Sequence, residues 1–261
     1  MKLSISNIGW TSEADAQVYE LMKDRGFVGL EIAPTRIFSE NPYDDLNKAK
    51  EWAEMLKAKE GVEVSSMQSI WYGRLEKIFG SDEERSALIS YTKKAIDFAE
   101  VINCGNLVFG CPRNRSIPDG GNIEIAVGFF RELGDYACDH HTVVAIEANP
   151  PIYNTNFINT TESAIDFIEK VDSNGILLNL DVGAMVENGE SVDVLKDKWQ
   201  IVNHVHISEP RLKQIQHRDI HRKLAEYLND VGYNKFVSIE VGKQEDINTL
   251  VDMMEYVKEI F

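Results

Sequence analysis

The sequence lacks the features of several protein classes. It contains no uninterrupted apolar run of the roughly 18 residues that a membrane-spanning helix requires. Positive charge is scarce, because 27 Lys and Arg residues stand against 43 Asp and Glu residues, for a formal net charge of −16. Such a chain repels phosphate polyanions, so a nucleic acid or an acidic membrane surface is disfavoured as a partner.

Cysteine is also rare. The three cysteines, Cys104, Cys111 and Cys138, form no CxxC pair, and an odd number cannot all be bridged to one another. The amino-terminal segment MKLSISNIGW lacks the apolar stretch of a signal peptide. We therefore expect a cytoplasmic protein with free thiols that pack in the interior.

Short apolar runs rich in β-branched residues alternate with helical patterns along the chain. The runs predict eight strands, at residues 3–8, 27–32, 62–67, 106–110, 142–147, 176–181, 202–207 and 236–241. Helical periodicity lies between them. Ser81 and Glu84, for example, have the spacing of a capping box before one helix, and the sixth helix is predicted at about Glu190 to Trp199.

Eight strand–helix units within 261 residues predict a single-domain (β/α)8 TIM barrel that spans residues 1–261. A doubly wound open sheet shares this alternation, but it usually carries a glycine-rich first turn. The first turn here, NIGWTSEADA, has no GxGxxG motif, and the chain has no GxxxxGK motif. The loops after strands three and four, at about 68–80 and 110–122, are long enough to cover an active site.

Four hydrophilic residues end the last four predicted strands. Glu147, Asp181, His206 and Glu240 are separated by 34, 25 and 34 residues, each close to one strand–helix unit. A single residue of this kind is usually a helix cap or a solvated loop residue. Four in succession favour convergence, because the carboxyl ends of barrel strands line one site. Three clustered carboxylates repel one another unless a cation neutralises them, so we predict one divalent metal ion.

Three oxygen ligands and one nitrogen suit Mn²⁺, Mg²⁺ or Co²⁺, with Zn²⁺ as an alternative. His204 lies two residues before His206 and therefore faces the same side of its strand. We take His206 as the ligand because it is nearer the strand end. His204 is expected to pack or hydrogen-bond below it.

At these residues the sequence resembles the sugar phosphate isomerase/epimerase group, the xylose-isomerase-like TIM barrels, through the segments IEANPP, LDVG, HVHISEP and SIEVG. The resemblance implies an enzyme with a small carbohydrate substrate, and by analogy a homodimer. It implies that Glu147, Asp181, His206 and Glu240 hold the metal and that Glu147 and Glu240 exchange protons with the substrate. It further implies substrate contacts from Glu31, from the polar end of strand three and from Arg211.

The chain departs from the group in two places. Many epimerases of the group carry Asp-x-x-His after strand six, whereas Ala184 lies three residues after Asp181 here, which allows a different substrate or reaction. Endonuclease IV, another member, needs additional histidines, but Ser66, Gln68 and Gly110 occupy the corresponding regions. A trinuclear zinc cluster is therefore disfavoured, in agreement with the negative net charge.

The predicted chemistry begins with the removal of a proton next to a carbonyl. A metal ion on the carbonyl oxygen would stabilise the resulting enediolate, and a carboxylate base would accept the proton. Glu147 and Glu240 on opposite faces would give epimerisation, whereas transfer on one face would give isomerisation. Three alternatives stay open: an inosose-dehydratase-like lyase, an endonuclease IV-like phosphodiesterase and a binding module without activity.

Loop residues supply the candidates for substrate binding. Residues 65–74 contain Gln68, Trp71 and Arg74, which suit either an aromatic platform for a sugar ring or ordinary loop packing. Arg113 and Arg115 follow strand four, where they suit either a clamp for a phosphate or carboxylate or a solvated ion pair. Two further candidates, Glu31 at the end of strand two and Asn149 after strand five, belong to the same end of the barrel.

Overall fold

Eight parallel strands pair in chain order, and the last pairs with the first, so that the sheet closes into a barrel. The computed structural model describes all residues, Met1–Phe261. The strands are β1 (Lys2–Ser6), β2 (Phe27–Ile32), β3 (Glu63–Met67), β4 (Leu107–Phe109), β5 (Val144–Glu147), β6 (Ile176–Asp181), β7 (Val202–Ile207) and β8 (Phe236–Ile239). The predicted single-domain TIM barrel is confirmed.

The helices lie between and after the strands. They are α1 (Asp15–Arg25), α2 (Pro34–Ile37), α3 (Leu46–Glu60), α4 (Asp82–Val101), α5 (Ile123–Asp139), α6 (Thr161–Val171), α7 (Val182–Asn188), α8 (Asp219–Asp230) and α9 (Ile247–Ile260). The capping box of Ser81 and Glu84 precedes α4, as predicted. None of these helices has the length and apolar character needed to span a membrane.

The helix after β6 begins earlier than the sequence pattern predicted. The side chain of Asp181 accepts a hydrogen bond from the Ala184 N–H and so caps α7 directly at the strand end. Gly189, in the left-handed conformation at φ 66°, ends this helix. The predicted helix at 190–199 is therefore wrong, because this stretch holds a short 3-10 turn at Val192–Leu195.

The cysteines are free, as expected, but they differ in burial. Cys104 is buried, Cys111 is partly buried and Cys138 is exposed. The expectation of interior packing is therefore wrong for Cys138, which lies near the carboxyl end of α5 on the solvent side.

Polar side chains fill part of the barrel interior, where branched apolar residues dominate in most TIM barrels. The Ser4 hydroxyl lies 2.5 Å from the Ser65 hydroxyl and accepts a hydrogen bond from Ser238 at 3.2 Å. Asn106 donates to the Ser66 hydroxyl at 2.9 Å. These side chains are buried. The hydrophobic core occupies mainly the layer between strands and helices, where aromatic rings such as Phe109 and Phe130 meet edge to face.

The packing of α5 against the start of β6 depends on a close contact between two glycines, Gly134 and Gly175, and a substitution there can test it. Gly175 precedes β6, and a Cβ atom at this position would overlap the carbonyl oxygen of Gly134 in α5. We expect Gly175→Ala to lower the free energy of unfolding by about 1–3 kcal/mol, measured by chemical denaturation. Gly105→Ala is the matched control, because its Cβ would meet no atom within 4 Å. Equal stability of the two variants would contradict this account.

Candidate functional site

Three carboxylates converge on one nitrogen of His206. The His206 Nδ1 atom lies 3.3 Å from Glu147 Oε2, 3.3 Å from Glu240 Oε2 and 3.8 Å from Asp181 Oδ2. The His206 ring is fully buried, and the three carboxylates form the floor of a cavity at the carboxyl end of the barrel. The structure thus brings together the four residues selected from the strand ends.

Glu31 holds the opposite side of the same imidazole. Its Oε2 atom lies 2.7 Å from His206 Nε2, and both side chains are completely buried. Gln68 donates a second hydrogen bond to Glu31 at 3.2 Å. Glu31 therefore lies beneath the floor and not on the cavity wall, where we expected a substrate contact. A carboxylate in this position orients the ring and leaves Nδ1 to face the cavity.

His204 lies one layer deeper, as expected. Its ring centroid is 5.3 Å from that of His206, and its Nε2 atom is 3.5 Å from Glu31 Oε2 without a hydrogen bond. Burial lowers the pKa of His204 to about 3, so this side chain is neutral. His204 packs below the centre and does not reach the cavity above it.

Neutral hydrogen-bond donors fix two of the carboxylates. Asn149 donates to Glu147 Oε1 and Asn179 to Glu147 Oε2, both at 2.9 Å, and Ser208 donates to Asp181 Oδ2 at 2.7 Å. Sequence reasoning selected Asn149 but missed Asn179 and Ser208. A signal for Asn179 existed: it lies two residues before Asp181 on β6 and therefore on the same face.

The pKa values of Asp181, Glu240 and His206 are all raised, which favours the protonated form of each group. Burial, together with repulsion from Glu147 and Glu240, raises the pKa of Asp181 to about 8. Burial also raises the pKa of Glu240. Burial alone would lower the pKa of His206, but the facing carboxylates of Glu31 and Glu240 raise it well above its usual value. A divalent cation would replace these protons, and a set of three carboxylates and one imidazole fits such an ion.

A cavity of about 570 Å³ opens above this floor. The long loops after β3 and β4 supply much of its wall, and five of the predicted substrate-binding residues line it: Gln68, Trp71, Arg74, Arg113 and Asn149. Trp71 also packs edge to face on Phe109 and donates to Thr92 at 2.8 Å. Trp71 therefore packs as the loop-packing interpretation predicted and also lines the cavity, and its use as an aromatic platform for a sugar ring stays a prediction.

Arg115 and Arg211, which were also predicted to contact the substrate, do not line the cavity. Arg115 is fully buried and donates to the carbonyl oxygens of Gly110, Glu147 and Ile158 at 2.7–3.0 Å, so it braces the loops and cannot clamp a ligand. Arg211 is exposed and does not line the cavity. Its backbone N–H donates to the Tyr153 hydroxyl at 2.8 Å, and Tyr153 does line the cavity. No sequence pattern had indicated Tyr153.

The closed barrel, with Glu147, Asp181 and His206 clustered at its strand ends where they could hold a metal ion, defines the class of the protein. The chain belongs to the xylose isomerase-like TIM barrel family, whose family model matches residues 19–260. No curated protein sequence matches it.

Solved structures with the same fold include several sugar epimerases. D-psicose 3-epimerase from Clostridium cellulolyticum H10 with D-tagatose is 19% identical, with 100% of this chain and 96% of that chain covered and a TM-score of 0.78. The 3-keto-D-glucoside 4-epimerase YcjR from E. coli is 20% identical, with 99% of each chain covered and a TM-score of 0.80. The IOLI protein with a zinc atom is 16% identical, with 100% and 99% covered and a TM-score of 0.74.

The contact between Glu31 and His206 predicts a loss of metal affinity when the carboxylate is removed. We expect Glu31→Gln to weaken Mn²⁺ binding by about 10- to 100-fold, measured by isothermal titration calorimetry, because the Glu31 carboxylate would orient His206 as a metal ligand. Glu63→Gln is the matched control, since Glu63 pairs with Lys2 near the opposite end of the barrel. Equal Mn²⁺ affinity in the two variants would exclude the orienting role.

The raised pKa of Asp181 predicts that metal stabilisation grows with pH. Because this pKa rises from 3.8 to about 8 on folding, the metal-free protein loses stability as pH increases toward 8. A bound cation offsets this loss, since it binds the ionised carboxylate. We expect the increase in Tm caused by Mn²⁺ to be larger at about pH 8 than at about pH 6. Asp181→Asn should reduce this pH dependence, and an unchanged dependence would contradict the assignment.

Proposed function

We propose that this protein is a divalent-metal-dependent epimerase or isomerase that removes a proton next to the carbonyl of a small carbohydrate. The observation that carries the proposal is the meeting of Glu147 and Glu240 at the cavity floor, each 3.3 Å from the same nitrogen of His206. The sugar epimerases among the structural neighbours support this class of reaction.

One cation would be held by Glu147, Asp181, His206 and Glu240. Mn²⁺, Mg²⁺ and Co²⁺ suit this donor set, and the zinc atom of the IOLI protein keeps Zn²⁺ among the candidates. When bound, the ion supplies electrostatic stabilisation of the negative charge that develops on the carbonyl oxygen of the substrate.

The two glutamates are suited to different parts of the proton transfer. Asn149 and Asn179 hold both oxygens of Glu147, whereas Glu240 contacts His206 through Oε2 and keeps Oε1 free of protein hydrogen bonds. Burial raises the pKa of Glu240, which favours it as a proton acceptor. We therefore assign removal of the proton to Glu240. Return of a proton by Glu147 from the other side would invert the carbon, and return by Glu240 to the neighbouring carbon would isomerise the sugar.

Neutral polar groups that line the cavity would orient the hydroxyls of a sugar. The Asn149 Oδ1 atom is buried without a hydrogen-bond partner and can accept from a hydroxyl. The Tyr153 oxygen accepts the N–H of Arg211, which leaves its own O–H free to donate into the cavity. Ala184, in place of the histidine that many relatives carry, does not line the cavity, so these two groups take over part of the hydroxyl recognition.

Replacement of Glu240 tests the assignment of the base. The assay is a screen of ketoses, sugar phosphates and sugar acids in D₂O with Mn²⁺, read by deuterium uptake at one carbon. At saturating Mn²⁺ we expect Glu240→Gln to lower the exchange rate by about 10²- to 10⁴-fold, because the amide cannot accept the proton.

Glu245→Gln is the matched control, since this side chain is 86% exposed on the loop after β8. Full exchange by Glu240→Gln would show that another group removes the proton. Absence of exchange with every sugar in the wild type would overturn the proposed function, and a product lighter by one water would indicate a lyase.

A further inference from the structure

Two of the ten arginines have no protein partner for their guanidinium groups. Six of the others pair with carboxylates, and the remaining two, Arg115 and Arg131, donate to backbone carbonyls. Arg113 and Arg211 donate no side-chain hydrogen bond, and both follow a proline just after a barrel strand. Of these two arginines, Arg113 lines the cavity and Arg211 does not.

The backbone around Arg113 is fixed although its side chain is free. The Arg113 carbonyl accepts a hydrogen bond from Lys77 Nζ at 2.5 Å. The adjacent Asn114 is buried and donates to the carbonyls of Arg74 and Glu76 at 3.1 and 2.8 Å. These contacts join the loops after β3 and β4 into one unit. The backbone of Arg113 is therefore fixed at the cavity, and its exposed guanidinium makes no hydrogen bond or ion pair within the protein.

The other charged groups of the cavity wall are already neutralised. Arg74 pairs with Glu76, and Glu209 receives two hydrogen bonds from Arg218 at 2.6 Å. Arg113 is thus the one wall residue whose charge has no opposite partner. In a chain of net charge −16, an unpaired guanidinium at a cavity favours the entry and binding of an anion.

We propose that the substrate carries an anionic group, a phosphate or a carboxylate, and that Arg113 binds this group while the sugar carbon lies at Glu147 and Glu240. This inference rests on the proposed function and names its substrate class. The planar guanidinium fork matches both anions through paired hydrogen bonds. A cavity of about 570 Å³ holds a molecule of this size.

Anion binding is tested first, without turnover. Isothermal titration calorimetry of the Mn²⁺-loaded protein with inorganic phosphate and with D-gluconate compares the wild type with Arg113→Gln. We expect Arg113→Gln to weaken binding of one of these anions by about 10-fold or more, and the anion affected identifies the group. Arg222→Gln, at an exposed position on α8, should bind both anions like the wild type. Unchanged affinity of Arg113→Gln for both anions would overturn the inference.

A measurement of turnover then distinguishes failure of the anion-site inference from failure of the proposed function. In the D₂O assay we expect Arg113→Gln to lower kcat/KM for the anionic sugar by about 10- to 100-fold, mainly through KM, and to lower kcat/KM for neutral ketoses by a much smaller factor. Wild-type exchange that is as fast with neutral ketoses as with anionic sugars would overturn the substrate class and leave the proposed function intact. Anion binding that depends on Arg113, without exchange of any sugar, would support the anion site and overturn the proposed function.

Discussion

The charge gathered around His206 is the constraint on which the rest of the site depends. Three carboxylates lie within 3.8 Å of one imidazole nitrogen, and a fourth, Glu31, lies 2.7 Å from the other nitrogen. In a buried place this arrangement persists only if protons or a cation offset the repulsion and if hydrogen bonds hold most of the carboxylate oxygens in place. The amides of Asn149 and Asn179 and the hydroxyl of Ser208 provide such hydrogen bonds.

The polar interior of the barrel follows from this charge. Because Glu31 lies below His206, its second oxygen needs a donor, which Gln68 provides while it also donates to Ser6 at 2.6 Å. An apolar layer directly beneath would leave such groups without hydrogen bonds, at a cost of about 1–3 kcal/mol each. Stability must therefore come mainly from the layer between strands and helices, where a continuous hydrophobic cluster surrounds the sheet. The rigid outer layer keeps the charged centre in place.

The sequence was sufficient for the barrel and for the floor of the site, because both depend on local patterns. Apolar runs located the strands, and their hydrophilic ends located Glu147, Asp181, His206 and Glu240. Depth within the barrel is not a local property, so the pattern could not show that Glu31 lies under His206. The helix after β6 was misplaced for a related reason: Asp181 serves as a helix cap and also faces His206, which removes the loop that was expected there.

In the proposed enzyme, recognition and chemistry would be carried by different parts of the chain. The carboxylates of the floor stand on or directly after strands, whereas Arg113 and Tyr153 stand on loops with their own hydrogen bonds. Because Lys77 and Asn114 fix the loop through the backbone, the side chain of Arg113 contributes nothing to the geometry of the floor. Under the proposed function, a change at this position would therefore alter which sugars bind more than it alters the proton transfer. The same separation explains how Ala184 can replace a histidine while all four residues around the candidate metal site are retained.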